Sequence, residues 1–443
     1  MSDPDLTRDE RSRIALEAYF YLYPLVLMDV TRRVSTNWAL DERPGVGPMG
    51  TLQHARAFPS ASFRTVVRPN FDTLYSSAWV DVGREPYLIE LPAIEDRFFM
   101  LPIYDMWTDV VASPGTRTHG ARAATFALCS PDWRGILPEG VERIDVTTPV
   151  VWLIGRTETR GAHDVALVHG LQDRMRLAPL SSWPDEAHEL GASDESLDGR
   201  TPPVRQVDQM GGAEFFTRGL RLGGVHRPHA TDWNVTTRMA RAGLAIGSDL
   251  DPSRLEVDLL EVLEATPARS RRILAERAHT IAANINGWST IDDLGVYANA
   301  YVKRALIARG GLGANPVEES LYPNLSLDAH GEALHGSRRY ALRFAPGAYP
   351  PADAFWSLTV YDRDGFPVAN EIERHALGSR DELEVDVDGS LEILLAHERP
   401  ADRALANWLP VPEGDFVVTL RLYLPREEVL LGRWRAPGAR RLD

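Results

Sequence analysis

RPNFDTLYSSAWVDV, residues 68–82, decides how this chain is read. It opens as a turn on Pro69 and Asn70 and continues as a β-rich run through Thr73, Tyr75, Trp79 and Val80. Phe71, Leu74, Ala78, Val80 and Val82 say that the run enters a core, yet most of its residues carry a polar side-chain atom. Burying a polar group is costly unless it is hydrogen-bonded. The polar set therefore either satisfies itself or is arranged for a ligand. Alternate strand residues share a face, so Asn70, Asp72 and Ser76 oppose Phe71, Thr73, Tyr75, Ser77 and Trp79.

A second stretch, FFMLPIYDMWTD (98–109), alternates in the same way and offers Asp105, Trp107 and Asp109. Two carboxylates and a phenol in a partly apolar site have split pKa values, so one can donate a proton while another accepts it. Asp72, Tyr75 and Asp105 are thus the candidate catalytic residues. Asn70, Trp79, Trp107, Asp109, Tyr23 and Arg304 are the candidate substrate-binding ones. Asp72 and Tyr75 lie on opposite faces of a regular strand, so this grouping requires a bulge near Thr73 or Leu74. The competing reading is structural: Asp72 caps the turn, and Asp105 pairs with Arg117 or Arg122.

Outward from these strands the texture is of two kinds. Helical periodicity covers residues 8–36, where Pro24 should kink or restart the helix, then 162–176, and about 213–309. Short β-rich runs fill 63–157, starting with FRTVVR, and return beyond 335 in AFWSLTVYDRDG and DFVVTLRLYLP. The expected fold class is α+β. An N-terminal domain over 1–335 combines an antiparallel-type sheet with helices, and a C-terminal β-sandwich or jelly-roll domain follows over 336–443.

Composition bounds the function. The 443 residues carry a formal net charge of -15, which argues against general nucleic-acid binding. One cysteine, Cys129, permits no intrachain disulfide, and the charged start reads as no secretion signal, so the cytoplasm is the expected compartment. No run reads as a membrane span, so no membrane association is expected. Lys303 is the only lysine, which the helix around it explains as a solvated residue. No P-loop, nucleophile elbow or glycine-rich dinucleotide motif occurs, so no cofactor is expected. His226 and His229, with Asp232 behind them, come nearest to metal-ligand spacing, but Pro228 lies between the histidines, so no metal is expected.

NFDTLYSSAWVDV, RFFMLPIYDMWTDVVASPGTRTHG, WRGILP and VVWLIGRT resemble the bacterial domain of unknown function 1254. GLGANPVEESLYP, AFWSLTVYD, DGSLEILLAHERP and NWLPVPEGDFVVTLRLYLP are similar to its usual partner, domain of unknown function 1214. The resemblance implies an α+β domain followed by a jelly-roll-like one, and no settled reaction. It also implies a second polar residue where this chain has Phe71, so the rim of the site is expected to be more apolar here.

The reading that follows is a cofactor-independent enzyme. It would apply carboxylate and tyrosine acid–base chemistry to a small, largely apolar, oxygenated molecule, by hydrolysis, elimination or cyclisation. A non-catalytic binding protein for a small molecule or carbohydrate, and a metal-dependent hydrolase, are the alternatives. The expected partner is a small-molecule substrate, with homo-oligomerisation left open.

Overall fold

A computed structural model describes residues 6–442 except 41, 65, 186–189, 192, 279 and 402–404. The N-terminal half contains α1 (Arg8–Thr36) and the strands β1 (Gln53–His54), β2 (Thr73–Asp81), β3 (Tyr87–Leu91), β4 (Phe99–Met100), β5 (Ile103–Asp105), β6 (Val110–Ala112), β7 (Ala124–Cys129), β8 (Val141–Asp145), β9 (Val150–Glu158) and β10 (Arg176–Pro179). Its helices continue with α2 (Val165–Gln172), α3 (Pro203–Gln209), α4 (Gly212–Val225), α5 (Trp233–Arg241), α6 (Val257–Ala278) and α7 (Tyr301–Gly311). The second half contains β11 (Ala283–Ile285), β12 (Trp288–Thr290), β13 (Ser320–Leu321), β14 (Asn324–Leu325), β15 (Tyr340–Phe344), β16 (Ala352–Asp362), β17 (Ala376–Gly378), β18 (Leu391–Ala396), β19 (Trp408–Pro410), β20 (Phe416–Pro425), the short α8 (Glu427–Leu430) and β21 (Arg440–Arg441).

The fold class is α+β, with sheets that are antiparallel except where β8 joins β7 and β19 joins β18. The first sheet runs β1-β2-β9-β5-β6, with β4 also on β9, and the second runs β10-β3-β7-β8. Between them Ala78, Val80, Val151, Leu153, Ile89 and Leu128 form one core. The other face of the first sheet, with Trp79, Tyr104 and Ile154, packs on α1 and the later helices. α1 is long and apolar enough to cross a membrane, contrary to the reading of the sequence, but here its Tyr19–Val30 stretch is buried in this core. Its capping box is complete, with Thr7 accepting from the Glu10 amide and Glu10 accepting from the Thr7 amide. Pro24 lies within the unbroken helix. FRTVVR is no strand among its described residues, because its Val66 and Val67 are exposed.

In the second half two sheets, β11-β12-β14-β20-β16-β17 with β13 and β19-β18-β15-β21, enclose a sandwich core of Leu342, Phe344, Leu358, Val360, Ile393, Leu395, Val418 and Leu420. β11 to β14 join this sheet from residues 283–325, so it draws on chain well ahead of residue 336. The strand period decides what faces the N-terminal half. Leu358 and Val360 of β16 and Val418, Leu420 and Leu422 of β20 point into the sandwich. Ser357, Thr359, Tyr361, Thr419, Arg421 and Tyr423 therefore point out of it, and they are all buried. This polar outer face is pressed onto the end of β2, β4 and β9. Tyr361 Oη donates to Pro69 O at 2.5 Å, Arg421 Nη2 donates to Arg68 O at 3.0 Å, and Phe98 packs on Phe355 and Tyr423.

Candidate functional site

The residues picked out in the sequence fall into separate groups. β2 pairs with β9 in unbroken register from Thr73↔Glu158 to Asp81↔Val150, so the required bulge near Thr73 or Leu74 does not exist. Asp72 carbonyl accepts from the Thr159 amide, while Asp105 pairs with Val151. Positions 159 and 151 are eight residues apart on one strand, about 26 Å at 3.3 Å per residue. Asp72 and Asp105 thus belong to opposite ends of the sheet, and the expected Asp72–Tyr75–Asp105–Trp107 constellation is corrected accordingly.

Asp72 is fully buried. Its Oδ2 accepts from Ser357 Oγ at 2.6 Å, its Oδ1 pairs with Arg380, and Arg380 Nη1 also donates to the Asp72 carbonyl at 3.2 Å. Arg380 in turn lies over the Phe355 ring, 3.9 Å from its centroid. This is a clamp between the two halves. The turn cap is Asn70 instead: its Oδ1 accepts from the Asp72 amide at 2.6 Å and the Thr73 amide at 3.1 Å. Two clefts flank Arg380, one of about 800 Å³ bordered by Arg97, Phe98 and Trp356, the other of about 520 Å³ bordered by Phe58, Phe71, Asp72 and His375. The rings of Phe71 and His375 pack at a tilt, with centroids 4.8 Å apart, so that rim is aromatic.

Asp105 heads a second group. Its Oδ1 accepts from the amides of Trp107 and Asp109, at 2.9 and 3.0 Å, and its Oδ2 accepts from Thr147 Oγ1 and meets His229 Nε2, both at 2.6 Å. Arg117 and Arg122 are engaged elsewhere, with Glu319 and Glu142. Asp109 carries Arg304 at 3.2 Å and accepts from the Tyr297 amide at 3.1 Å. Burial raises its carboxyl to about 6, and Asp105 adds to the rise against the pull of Arg304 and His229. Burial would lower His229, but the bond to Asp105 and the charges of Asp105 and Asp109 hold it above the usual imidazole value. Trp107 stacks on Tyr21 at 4.7 Å and donates its indole N–H to the carbonyls of His226 and Arg227. Asp232 accepts from Tyr21 and Tyr301. Among the described residues no set of three His, Cys, Asp or Glu is placed to hold a metal ion. Tyr23 stands apart from both groups, accepting from Arg309, which also pairs with Asp208.

The third group lies at the seam and joins Tyr75 and Asn70 to residues the sequence reading missed. Arg156 Nε donates to Tyr75 Oη at 3.2 Å, and Arg156 lies 5.0 Å from the Tyr75 ring centroid. Arg156 Nη1 donates to Asn315 Oδ1 at 2.7 Å, and Tyr104 Oη donates to the same oxygen at 3.0 Å and to Gly313 O at 2.9 Å. Asn70 Nδ2 donates to Tyr423 Oη at 2.8 Å. Arg421 donates to Thr359 Oγ1 at 2.7 Å and Tyr361 Oη at 2.8 Å, and sits 5.5 Å from the Tyr322 ring. Trp79 reaches this group through its stacked partner Trp152, at 4.9 Å. Arg156 and Arg421 are buried, whereas Tyr75, Ser77, Trp152 and Tyr322 keep partial exposure at the seam.

The phenols here have divided pKa values. Burial would raise Tyr75, but the guanidiniums of Arg156 and Arg421, with hydrogen bonds from Arg156 and Asn70, outweigh it and hold its phenol below the ordinary value. Burial dominates for Tyr322 and Tyr423, which are raised, and for Tyr104, raised to about 12. One phenol is thus held below the ordinary value while its neighbours are held above it. The signal that could have found Arg156 and Arg421 is a lone cation inside each of two apolar strands, VVWLIGRT and VVTLRLYLP.

The architecture defines a two-body α+β protein with a polar seam. Residues 49–179 match the family described as "Protein of unknown function (DUF1254)", and residues 319–427 match "Protein of unknown function (DUF1214)". The chain carries these two domains in that order, and the seam is built from both. The fold is shared with the VPA0106 protein from Vibrio parahaemolyticus, a crystal structure 22% identical with a TM-score of 0.73, over 98% of this chain and 100% of that one. An uncharacterized protein from Burkholderia cenocepacia aligns at 12% identity and a TM-score of 0.45, over 98% of this chain and 94% of its own. None of the curated proteins matches.

Proposed function

We propose that the protein is an enzyme that moves a proton at a small, largely apolar, oxygenated organic molecule, with Tyr75 as the general base and a neighbouring tyrosine as the acid. The observation that carries this reading is the Tyr75 phenol, bonded to Arg156 and held below its ordinary pKa while Tyr322 and Tyr423 are held above theirs. A phenol held below its ordinary pKa beside a retained proton donor suits hydrolysis, elimination or cyclisation alike. The half-buried rings of Tyr75, Trp152 and Tyr322 suit an apolar body. The carboxylates are given supporting parts here: Asp72 joins the halves and Asp105 orders the turn before Asp109.

The test is turnover of a nitrobenzisoxazole, whose ring opens when a base in an apolar pocket takes its proton, together with a panel of lactones, epoxides and nitrophenyl esters. Tyr75→Phe is expected to keep the fold and lower turnover by about 10² or more. Absorbance titration should show one tyrosine ionising early in the wild type and not in Tyr75→Phe. A variant as active as the wild type on every substrate turned over would overturn the reading.

A further inference from the structure

Five arginines are buried among the described residues: Arg11, Arg97, Arg156, Arg304 and Arg421. Arg11, Arg97 and Arg304 each meet a carboxylate, of Glu256, Asp164 and Asp109 respectively. Arg156 and Arg421 do not. Their acceptors are Tyr75, Asn315 and Gly313 for the first, and Thr359, Tyr361 and the Arg68 carbonyl for the second. No described carboxylate oxygen lies within 4.0 Å of either guanidinium. Asp72, a carboxylate whose charge acts on Arg421, is already paired with Arg380. A buried charge without a counter-charge is expensive, and proteins keep one where something supplies the missing charge.

The charges at the seam do not balance by themselves. Two permanent cations face at most one ionised phenol, Tyr75, so at least one positive charge is left over. Arg68 adds to it at the rim. The residue is exposed and holds a left-handed backbone angle (φ 50), yet desolvation of its guanidinium, with the charge of Arg421, lowers its pKa against the pull of Tyr361. A strained residue at the seam is the kind of feature that survives for a reason other than packing.

We infer that the seam binds a monocarboxylate, its anion held between Arg156 and Arg421 and its apolar body laid against Tyr75, Trp152 and Tyr322. Guanidinium forks match a carboxylate's two oxygens, which is why arginine serves this role better than lysine. The inference rests on the acid–base reading only for the location of the site. If both hold, the substrate class is a small apolar acid, and the proton handled by Tyr75 lies on that acid.

The probe is phenylacetate, with phenylacetamide as its neutral counterpart. Calorimetry on the full chain should show one site per chain for phenylacetate, with affinity falling as salt rises, and thermal melting should shift upward with its concentration. Phenylacetamide should bind at least tenfold more weakly. Arg156→Gln and Arg421→Gln should each weaken phenylacetate by tenfold or more. Arg68→Gln, at an exposed position that leaves the core untouched, should weaken it several-fold, and it carries the test if a buried variant does not fold. Binding should also suppress the early-ionising tyrosine, because the bound anion competes with the phenolate for the same cations. Equal binding of the amide, no binding of the acid, or wild-type affinity in Arg68→Gln together with the foldable buried variants would overturn the inference. Tyr75→Phe separates the two claims. If it keeps phenylacetate binding and turnover is unchanged, the acid–base reading fails and the carboxylate site stands. If turnover is lost while no carboxylate ever binds, the reverse holds.

Discussion

Removing the charge of Asp72 tests whether that residue joins the two halves or does chemistry. In Asp72→Asn the Oδ1 position can still accept from Arg380, so one hydrogen bond is kept. What is lost is the counter-charge of a guanidinium whose side chain is 18% exposed, and the amide nitrogen now faces Ser357 Oγ where an oxygen accepted before. Breaking a fully buried pair from one side costs about 3–5 kcal/mol. The partial exposure of Arg380 and the retained acceptor reduce this to about 2 kcal/mol. Urea unfolding, followed by both fluorescence and far-UV circular dichroism, should therefore show a lower midpoint at unchanged slope. The same cycle with Arg380→Met and the double variant should give a coupling of about 1 kcal/mol or more, because the two side chains touch. Turnover on any substrate found should fall only as far as folded protein is lost. An Asp72→Asn protein of wild-type stability, additive with Arg380→Met but a hundredfold slower, would refute the clamp and return Asp72 to the chemistry.

Stability should fall as pH rises from about 5 to 8, measured as the urea midpoint. Asp109 is raised by burial to about 6, so its share is present below the ordinary carboxylate range and lost as pH rises through about 6; the raised His229 contributes fully below the ordinary imidazole value and loses its share as pH passes its folded value. Asp109→Asn should flatten the acid side of that dependence, and a profile unchanged in this variant would contradict the assignment. Gly313→Ala should destabilise by about 1–3 kcal/mol, since Gly313 has φ +80 and an added Cβ would stand 2.7 Å from Ile154 Cδ1. Its carbonyl accepts from Tyr104, so thermal melting and the titration of Tyr75 should move together.

The strand and helix pattern was legible because its periods are strong. Alternation in AFWSLTVYD and VVTLRLYLP placed β16 and β20, and glycine after the last helix ended α7 at Gly311. What alternation cannot say is whether the polar face of a strand meets water or another polar face. Ser357, Thr359, Tyr361 and Arg421 look from sequence like a solvated side, yet all are buried. The same blindness misplaced the carboxylates. Asp72 and Asp105 stand 33 positions apart on neighbouring motifs, but β9 runs between them and carries them to its two ends. Asn70 and Tyr75 lie at the polar seam, and their partners there come from residues 156, 315, 322, 421 and 423, whose meeting only the topology shows.

The opening stretch carries polar groups into a core for two different reasons. Asn70 and Asp72, at its entrance, are consumed by structure: one caps the turn, the other holds Arg380 and Ser357 across the seam. Tyr75, one turn of the pleat further in, is bonded to a cation that has no counter-charge of its own. Neither half could keep Arg156 or Arg421 buried alone. The acceptors of Arg156 include Asn315 and Gly313 from the chain leading into the sandwich of the second half, and Arg421 donates back to Arg68 in the first half. Each cation is thus desolvated by the other half. A seam that only glued two bodies together would be better served by apolar contacts, which cost no desolvation of charge. Phe98, Phe355 and Tyr423 already provide such a contact beside it. Unlike the Asp72–Arg380 clamp, the uncompensated charge of Arg156 and Arg421 is therefore surplus to holding the fold, and a ligand is the simplest thing that makes use of it.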